Sequence, residues 1–278
     1  MNLVKNRCKT VSILLFAFII LQSFFGCTQD GKKLTVDILD IGKADCILLQ
    51  YEGSVVLIDT GEDENLPEIK RHLFQQNISR IDYLIISHFD KDHIGGGAGI
   101  VEEYDVKNVF LSSFEKDSVH TRSLMTALDN KGITPVRLTE NADLHIKNLS
   151  LTISPPKKGS YAVKEDNNAS LVVTAQLGEK RLLFCGDAME ARIDELLNES
   201  IDNIDFLKVP YHGRMLENLN ALLDKTAPSV CAITCSKKNP PDENTISLLA
   251  QRNIKTYLTE NGTVRVIVSP DSISTVQL

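Results

Sequence analysis

The 278-residue sequence has no Cys-x-x-Cys pair, no signature of an activated serine or cysteine, and no low-complexity linker. Without the paired spacing, its six cysteines do not predict a cysteine-ligated zinc site. Without an activated hydroxyl or thiol, nothing indicates covalent nucleophilic catalysis. Because a linker, a close internal repeat and a second set of motifs are all missing, the sequence favours one domain, long enough to bury a sizeable core.

An excess of basic residues is also lacking, since the formal net charge is −7 at pH 7. That balance weighs mildly against a protein that holds nucleic acid. Carboxylates at a metal site are neutralised by the ion, so the whole-chain charge overstates the repulsion that a phosphate would meet. Four basic pairs are candidate contacts, although such pairs are more often solvated turns: Lys32-Lys33, Lys70-Arg71, Lys157-Lys158 and Lys237-Lys238.

The amino-terminal apolar run is too short to be an ordinary membrane span. It covers Val11 to Leu21, follows Lys5, Arg7 and Lys9, and is shorter than the roughly 20 residues that cross a bilayer. Gly26 before Cys27 is similar to a lipoprotein cleavage box, although the preceding two phenylalanines match it poorly. We therefore expect residues 1–33 to be an export signal and linker with a lipid anchor at Cys27, at the extracytoplasmic face of the cell membrane. An uncleaved amino-terminal anchor is the main alternative.

The four remaining cysteines lie in β-like apolar runs, which favours buried thiols over disulfides. Cys231 and Cys235 are four residues apart along one extended β-like run, too far from each other to form a bridge. Cys46 and Cys185 lie in similar apolar contexts. Small buried hydrophobic side chains are the expected role for all four.

Periodicity predicts an alternating α/β chain after residue 33. Glycine-containing turns separate three early strands, and helical patterns then alternate with strands to the end of the chain. The predicted strands are 34–39, 46–50, 55–59, 83–87, 108–111, 149–153, 171–177, 181–184, 206–209, 229–234, 255–258 and 264–268. The predicted helices are 67–76, 98–103, 122–131, 189–197, 216–224 and 243–252.

The most informative segment follows the predicted strand that ends at Ser87. His88, Asp90, Asp92 and His93 fall within six residues, and three glycines come after Ile94. Helical or strand geometry would separate these side chains, whereas a loop folded back at glycine lets them converge. Imidazole and carboxylate groups in such a cluster predict a metal site.

This HxDxDH pattern resembles the HxHxDH motif of the metallo-β-lactamase superfamily. Asp90 stands where the second histidine is usual, a variant similar to the ComEC-like family of competence proteins. Five further segments are similar to that family in the same order along the chain: Asp40–Cys46 (DIGKADC), Val56–Gly61 (VLIDTG), Asn167–Val172 (NNASLV), Leu183–Ala188 (LFCGDA) and Leu207–Gly213 (LKVPYHG).

The resemblance implies an α+β fold, the four-layer αββα metallo-β-lactamase sandwich, over residues 34–278. It also implies one complete metal position, with ligands Asp92, His93, Asp187 and His212. The second position would use His88, Asp90 and Asp187, because the segment of the third histidine reads Asn-Asn-Ala-Ser here. We therefore expect one or two divalent metal ions, zinc or manganese, with the second held more weakly because its ligand set is incomplete. Its oxygen ligands shift the preference there from zinc toward manganese or magnesium.

The catalytic roles follow from the same resemblance. Water bound to such an ion loses a proton near neutral pH and becomes the nucleophile, and Asp92 and Asp187 are the expected catalytic carboxylates. Expected substrate-binding residues are Asn168, Ser170, Tyr211 and Arg214. Tyr211 and Arg214 are departures from the usual His and Ser, and Pro240-Pro241 stands where a His-Pro pair is common. These changes put the substrate in doubt.

Several polar residues have an equally ordinary structural interpretation. His72, His120 and His145 have no partner ligands nearby in sequence and are not expected at the site. Asp45 and Asp59 lie in segments near it, but structural capping is the more favoured role. Lys208 could face a phosphate or lie behind the site.

The favoured function is an exported metal-dependent hydrolase, a phosphodiesterase or nuclease-like enzyme, with DNA as a possible substrate. A metallo-hydrolase of another ester, a lactone or a cell-surface phosphodiester is the first alternative. A degenerate metal-binding lipoprotein without catalysis is the second. The broken histidine pattern argues against β-lactam hydrolysis, the membrane is the expected partner through the anchor, and no protein partner is predicted.

Overall fold

The structure is a computed structural model that describes residues 32–162 and 165–278. The predicted signal and Cys27 lie outside the described residues, so that prediction stays open. Within the described ranges, none of the helices has both the length and the apolar character needed to traverse a bilayer.

Fifteen strands form two sheets in the described part of the chain. The first sheet has eight strands in the order β15-β14-β1-β2-β3-β4-β5-β6, and β3 to β6 run parallel. Its strands are β1 Leu34–Ile38, β2 Ile47–Tyr51, β3 Ser54–Ile58, β4 Arg80–Ile86, β5 Asp105–Ser112, β6 Val136–Leu138, β14 Val264–Ser269 and β15 Ser272–Gln277.

The second sheet has seven strands in the order β13-β12-β11-β10-β9-β8-β7, and β10 to β13 run parallel. Its strands are β7 Ala142–Ile146, β8 Leu149–Ser154, β9 Val172–Leu177, β10 Lys180–Phe184, β11 Phe206–Lys208, β12 Val230–Ile233 and β13 Lys255–Leu258.

Helices cover the outer face of each sheet. Inward side chains such as Val36, Ile58 and Leu151 form the core between the sheets. Two further apolar layers lie outside this core, one between each sheet and its helices. This gives the αββα order. The helices are α1 Leu66–Gln75, α2 Lys91–Ile94, α3 Gly97–Glu103, α4 Val119–Lys131, α5 Glu165–Asn168, α6 Glu190–Leu196, α7 Leu219–Thr226 and α8 Glu243–Gln251.

The predicted fold class is confirmed, and the differences concern weak elements. Strand β15 was not predicted because its sequence, Ser272–Gln277, is largely polar and its residues alternate between exposed and half-buried at a sheet edge. Strand β6 has only three residues, and β7 alternates in exposure along a sheet edge. Such edge strands form because they pair with a neighbouring strand, and the local periodicity of the sequence does not reveal that pairing.

The parallel strands bring their carboxyl ends to one end of the sandwich. Asp59 follows β3 and His88 follows β4, while Asp187 and His212 follow β10 and β11. A hydrogen bond from Leu171 N to Ser87 O (2.8 Å) joins the two sheets there. The predicted site residues therefore come from loops at a single edge.

Gly96 is the tightest point of the loop that carries the HxDxDH residues. A methyl group there would clash with the carbonyl oxygen of Thr60, at the end of β3. Thr60 N donates to His93 O (2.7 Å), so a displaced Thr60 backbone would also disturb the metal loop.

We expect Gly96→Ala to lower the free energy of unfolding by about 1–3 kcal/mol, because the added methyl overpacks a fixed backbone. Urea denaturation measures the change. Gly159→Ala is the matched control, since a methyl at Gly159 meets no atom within 4 Å, and it should change stability by less than about 0.5 kcal/mol. Equal effects of the two substitutions would contradict the packing argument.

Candidate metal centre

The HxDxDH loop is fixed by short-range turns and by neighbouring segments. His93 N and Ile94 N both donate to Asp90 O (3.0 and 3.1 Å), so Asp90 begins the short helix α2. Asp45 N donates to Asp92 O (3.0 Å), which attaches the loop to the segment before β2. Helix α2 therefore holds the backbone of Asp92 and His93 at the end of the sheets.

Asp187 and His212 come from the second sheet through unusual backbone conformations. Gly186 has φ +53° and lies close to Ser87, where a side chain would clash. Tyr211 and His212 both have φ of 50°, a left-handed conformation that is uncommon for residues other than glycine. Two consecutive residues in this region indicate a turn whose strain is held by the surrounding structure to aim His212 inward.

Four predicted ligands meet in one buried cluster. Asp92, His93, Asp187 and His212 each offer an atom, and these atoms all lie within 4.8 Å of one another. Asp187 Oδ1 is 3.3 Å from His93 Nε2 and 3.3 Å from His212 Nε2, and His212 Nε2 is 3.4 Å from Asp92 Oδ2. Ligands about 2.0–2.1 Å from a tetrahedral ion are about 3.3–3.4 Å apart, so the spacing fits a bound divalent ion.

Unsatisfied polar atoms support the same assignment. His93 Nε2, His212 Nε2 and Asp187 Oδ1 are buried and have no hydrogen-bond partner among the described residues. Buried donors and acceptors are rarely left unpaired, because each costs about 1–3 kcal/mol. Three such atoms aimed at one point are explained by an ion that takes their lone pairs.

A set of buried residues orients the two imidazoles from behind. Asp59 Oδ2 lies 2.8 Å from His93 Nδ1, and Ser87 donates to Asp59 through both its backbone N and its Oγ (2.7 Å each). His212 Nδ1 lies 2.9 Å from the hydroxyl of Thr234. A carboxylate or oxygen on Nδ1 leaves Nε2 as the metal-binding atom.

Asp45 closes this network from the other side. Its Oδ1 accepts a hydrogen bond from Thr234 Oγ1 (2.6 Å), and its Oδ2 is 2.5 Å from the ammonium of Lys208. Lys208 is fully buried, so it lies behind the site and does not face solvent. Capping was favoured for both carboxylates, but Asp59 supports His93 directly and Asp45 supports His212 through Thr234.

Burial and mutual charge shift the protonation of the cluster. Burial raises the pKa of Asp187, but the charges of His212 and His93 outweigh it and hold that pKa well below its usual range. Burial lowers the pKa of His93, whereas Asp187 and Asp59 raise it more strongly, and Asp187 similarly raises the pKa of His212. An incoming ion must displace these imidazole protons, so metal affinity rises with pH.

The ligands predicted for a second ion are only partly assembled. His88 Nδ1 lies 3.0 Å from Ser87 Oγ, and its Nε2 is buried without a hydrogen-bond partner. Asp90 Oδ2 is 3.6 Å from that Nε2, while Asp90 Oδ1 accepts a hydrogen bond from Lys116 (2.6 Å). His88 and Asp90 stand beside the four-residue cluster, and their role as ligands stays a prediction.

The expected substrate-binding residues are placed in two different ways. Asn168 and Ser170 are buried: Asn168 Oδ1 accepts from Arg192 N (3.0 Å), and Ser170 Oγ accepts from Asp187 N (3.2 Å). Tyr211 is half-buried in the strained turn. Arg214 pairs with Asp242 (2.8 Å) at the surface. Asn168 and Ser170 thus accept hydrogen bonds from backbone N–H groups of the protein. Substrate contact by any of the four residues stays a prediction.

Three histidines lie away from the cluster, as expected. His72 Nε2 pairs with Asp37 (2.8 Å) on the first sheet, while His120 and His145 lie on α4 and β7. Lys43 and Arg192, like Lys116, are cations near the site that were not identified as such from sequence. Lys43 Nζ is 2.7 Å from Asp92 Oδ2, and Arg192, wholly buried, donates to Ser170 O (3.2 Å). Both contacts join residues far apart in the chain, so no local sequence pattern predicts them.

The geometry of the site agrees with the relationships of the sequence. The family model described as "Metallo-beta-lactamase superfamily" matches residues 39–230. The chain belongs to the metallo-β-lactamase superfamily. At that level the prediction of a metal-dependent hydrolase of this fold is confirmed.

Two relatives and one solved structure illustrate the similarity. ComE operon protein 3 of Bacillus subtilis is 27% identical over 93% of this chain and 35% of its own length. Recombination protein 2 of Haemophilus influenzae is 28% identical over 86% of this chain and 29% of its own length. The chain thus spans about a third of each relative, and the ComEC-like resemblance is confirmed. The metallo-β-lactamase fold protein YhfI from Bacillus subtilis has a TM-score of 0.56 at 10% identity, covering 88% of this chain and 100% of that one.

We expect Asp59→Asn to weaken divalent-metal binding by about 10–100-fold, because the amide no longer holds His93 Nδ1–H with a negative charge. Isothermal titration with Mn²⁺ or Zn²⁺ measures the change. Asp129→Asn, on the exposed surface of α4, is the matched control. Unchanged affinity in a folded Asp59→Asn protein would remove Asp59 from the site.

Proposed function

We propose that this chain is a metal-dependent phosphodiesterase whose substrate class includes nucleic acid. The observation that carries the proposal is the four-residue cluster Asp92, His93, Asp187 and His212, with its three unsatisfied ligand atoms. When bound there, a divalent ion supplies Lewis acidity and lowers the pKa of a water ligand, to about 7 for zinc.

The residues around the cluster suit an anionic substrate. Lys43 lies against Asp92 and keeps 29% of its side chain exposed, and Lys116 lies against Asp90 and keeps 42% exposed. These two partly exposed lysines beside the predicted ligands can offer hydrogen bonds to phosphate oxygens. They supply local positive charge on a chain whose net charge is −7.

The cluster also determines what the chain's own groups contribute to hydrolysis. Asp92 and Asp187 have pKa values held below their usual range: burial raises both, but the adjacent imidazoles outweigh it. Both carboxylates are therefore ionised at neutral pH and can accept a hydrogen bond from a water molecule. Asp59 and Thr234 keep the two imidazoles in fixed orientations, which limits reorganisation during the reaction.

The relatives favour nucleic acid within the phosphodiester class. One is a ComE operon protein and the other is a recombination protein, and the ComEC-like pattern covers most of this chain. Because this chain spans about a third of each, only the hydrolytic activity is proposed, without any activity of the remaining two thirds.

We further propose that the enzyme is exported and held at the outer face of the membrane by a lipid on Cys27. The support is the basic start, the short apolar run and the Gly26-Cys27 junction in the sequence.

Residues 28–278, stripped of metal and then supplied with Mn²⁺ or Zn²⁺, should hydrolyse bis-p-nitrophenyl phosphate and single-stranded DNA. His93→Ala should reduce the rate by more than about 100-fold, because it removes a ligand. His145→Ala, on the exposed face of β7, is the matched control and should leave the rate unchanged. Absence of turnover on both substrates, with metal demonstrably bound, would redirect the proposal to a non-phosphate ester.

In a bacterial host, the full chain should fractionate with membranes and take up a metabolic fatty-acid label. Cys27→Ser should abolish the label, because serine offers no thiol to the acyl-transfer enzyme. Cys8→Ser is the control and should keep it. Labelled Cys27→Ser protein would contradict the anchor at this position.

A further inference from the structure

The cation beside Asp90 is a lysine from a distant segment. Lys116 Nζ lies 2.6 Å from Asp90 Oδ1 and 2.8 Å from Asp166 Oδ2. Asp90 stands at the place of the second histidine in the HxHxDH motif, where a ligand of a second ion is predicted. Its carboxylate is thus shared between an ammonium on one side and His88, 3.6 Å away, on the other.

The backbone of Lys116 is held in place. Thr121 Oγ1, which is buried in the first turn of α4, donates to Lys116 O (2.7 Å). Ser118 caps the same helix, accepting from Thr121 N (3.1 Å). The acceptor Asp166 lies in α5, just before the Asn-Asn-Ala-Ser segment. Two elements fixed by their own turns therefore direct the ammonium and its second carboxylate toward Asp90.

A second divalent ion would have few ligands and a poor electrostatic position. Within residues 165–170 no histidine is available, so the remaining donors are His88 Nε2, one oxygen of Asp90 and one of Asp187. An ion bound between His88 and Asp90 would lie within a few ångströms of the Lys116 ammonium. Like charges at that distance repel, and solvent screens part of this repulsion because the Lys116 side chain is 42% exposed.

We propose that the ammonium of Lys116 takes the place of the second metal ion, so that the protein binds one divalent ion tightly. Lys116 pairs with Asp90 and Asp166, and because its side chain is partly exposed, its third N–H donor is available to an anionic oxygen of the substrate. This inference depends on the ligand set Asp92, His93, Asp187 and His212.

The rest of the site follows the same pattern. Lys208 neutralises Asp45 at 2.5 Å, and Lys43 neutralises Asp92 at 2.7 Å. Asp59 and Asp187 are instead paired with imidazoles. Lysine thus provides positive charge at three carboxylates, two of which, Asp90 and Asp92, are predicted metal ligands.

Metal stoichiometry tests the inference without any activity measurement. Residues 28–278 and the variant Lys116→Met are titrated with Mn²⁺ by calorimetry, and bound metal is counted by mass spectrometry after gel filtration. The native protein should hold one ion per chain and give the electron paramagnetic resonance spectrum of an isolated Mn²⁺. Lys116→Met should hold two, with the second bound at least about tenfold more tightly than in the native protein.

Two further variants make the result specific. Lys116→Arg keeps the charge and should still bind one ion, and Lys107→Met, on the exposed part of β5, should also bind one. Adding His88→Ala to Lys116→Met should return the count to one, because it removes a ligand of the new site. Two ions in the native protein, or one ion in folded Lys116→Met, would overturn the inference. If the protein fails to cleave phosphodiesters, the proposed function is wrong but the metal count still stands. If the native protein binds no metal at all, the ligand set Asp92, His93, Asp187 and His212 is refuted.

Discussion

Compensation of buried negative charge is the constraint on which the site depends. Asp45, Asp59 and Asp187 are at most 2% exposed, and each would be very costly to bury alone. The fold compensates each of these negative charges with buried cationic side chains from the other sheet or from the next loop. The pairs are Lys208 with Asp45, His93 with Asp59, and His93 and His212 with Asp187. The loops at the ends of the two sheets must therefore close together, and the metal cluster is the point where they meet.

Much of this arrangement could be predicted from sequence, because motif and strand end coincide. His88 and Asp92 follow one strand within a few residues, and Asp187 and His212 each follow another. Apolar periodicity predicted the alternation of strands and helices, and the resemblance to the superfamily implied the four layers. The four reduced cysteines were also expected, and the structure confirms them as free and buried.

The remaining features depend on contacts between distant residues. Asp59 was interpreted as a cap because its role appears only when the fold places His93, in α2, beside it. Lys116 gave no sequence signal, since a lysine in a polar loop is ordinary until Asp90 and Asp166 are placed around it. The left-handed turn at Tyr211 and His212 was equally hidden, because neither residue favours that conformation on its own.

The buried cysteines have a practical consequence for labelling. Cys46, Cys185, Cys231 and Cys235 have no exposed surface, and burial raises the pKa of Cys185 and Cys231 to about 12. A thiol so protected stays protonated at neutral pH and does not react with maleimides. Within the described residues the native protein therefore behaves toward such reagents as if it had no cysteine. In the fragment 32–278, a single cysteine introduced on the surface of α4, for example at Asp129, would carry a fluorophore or spin label without removal of any native thiol.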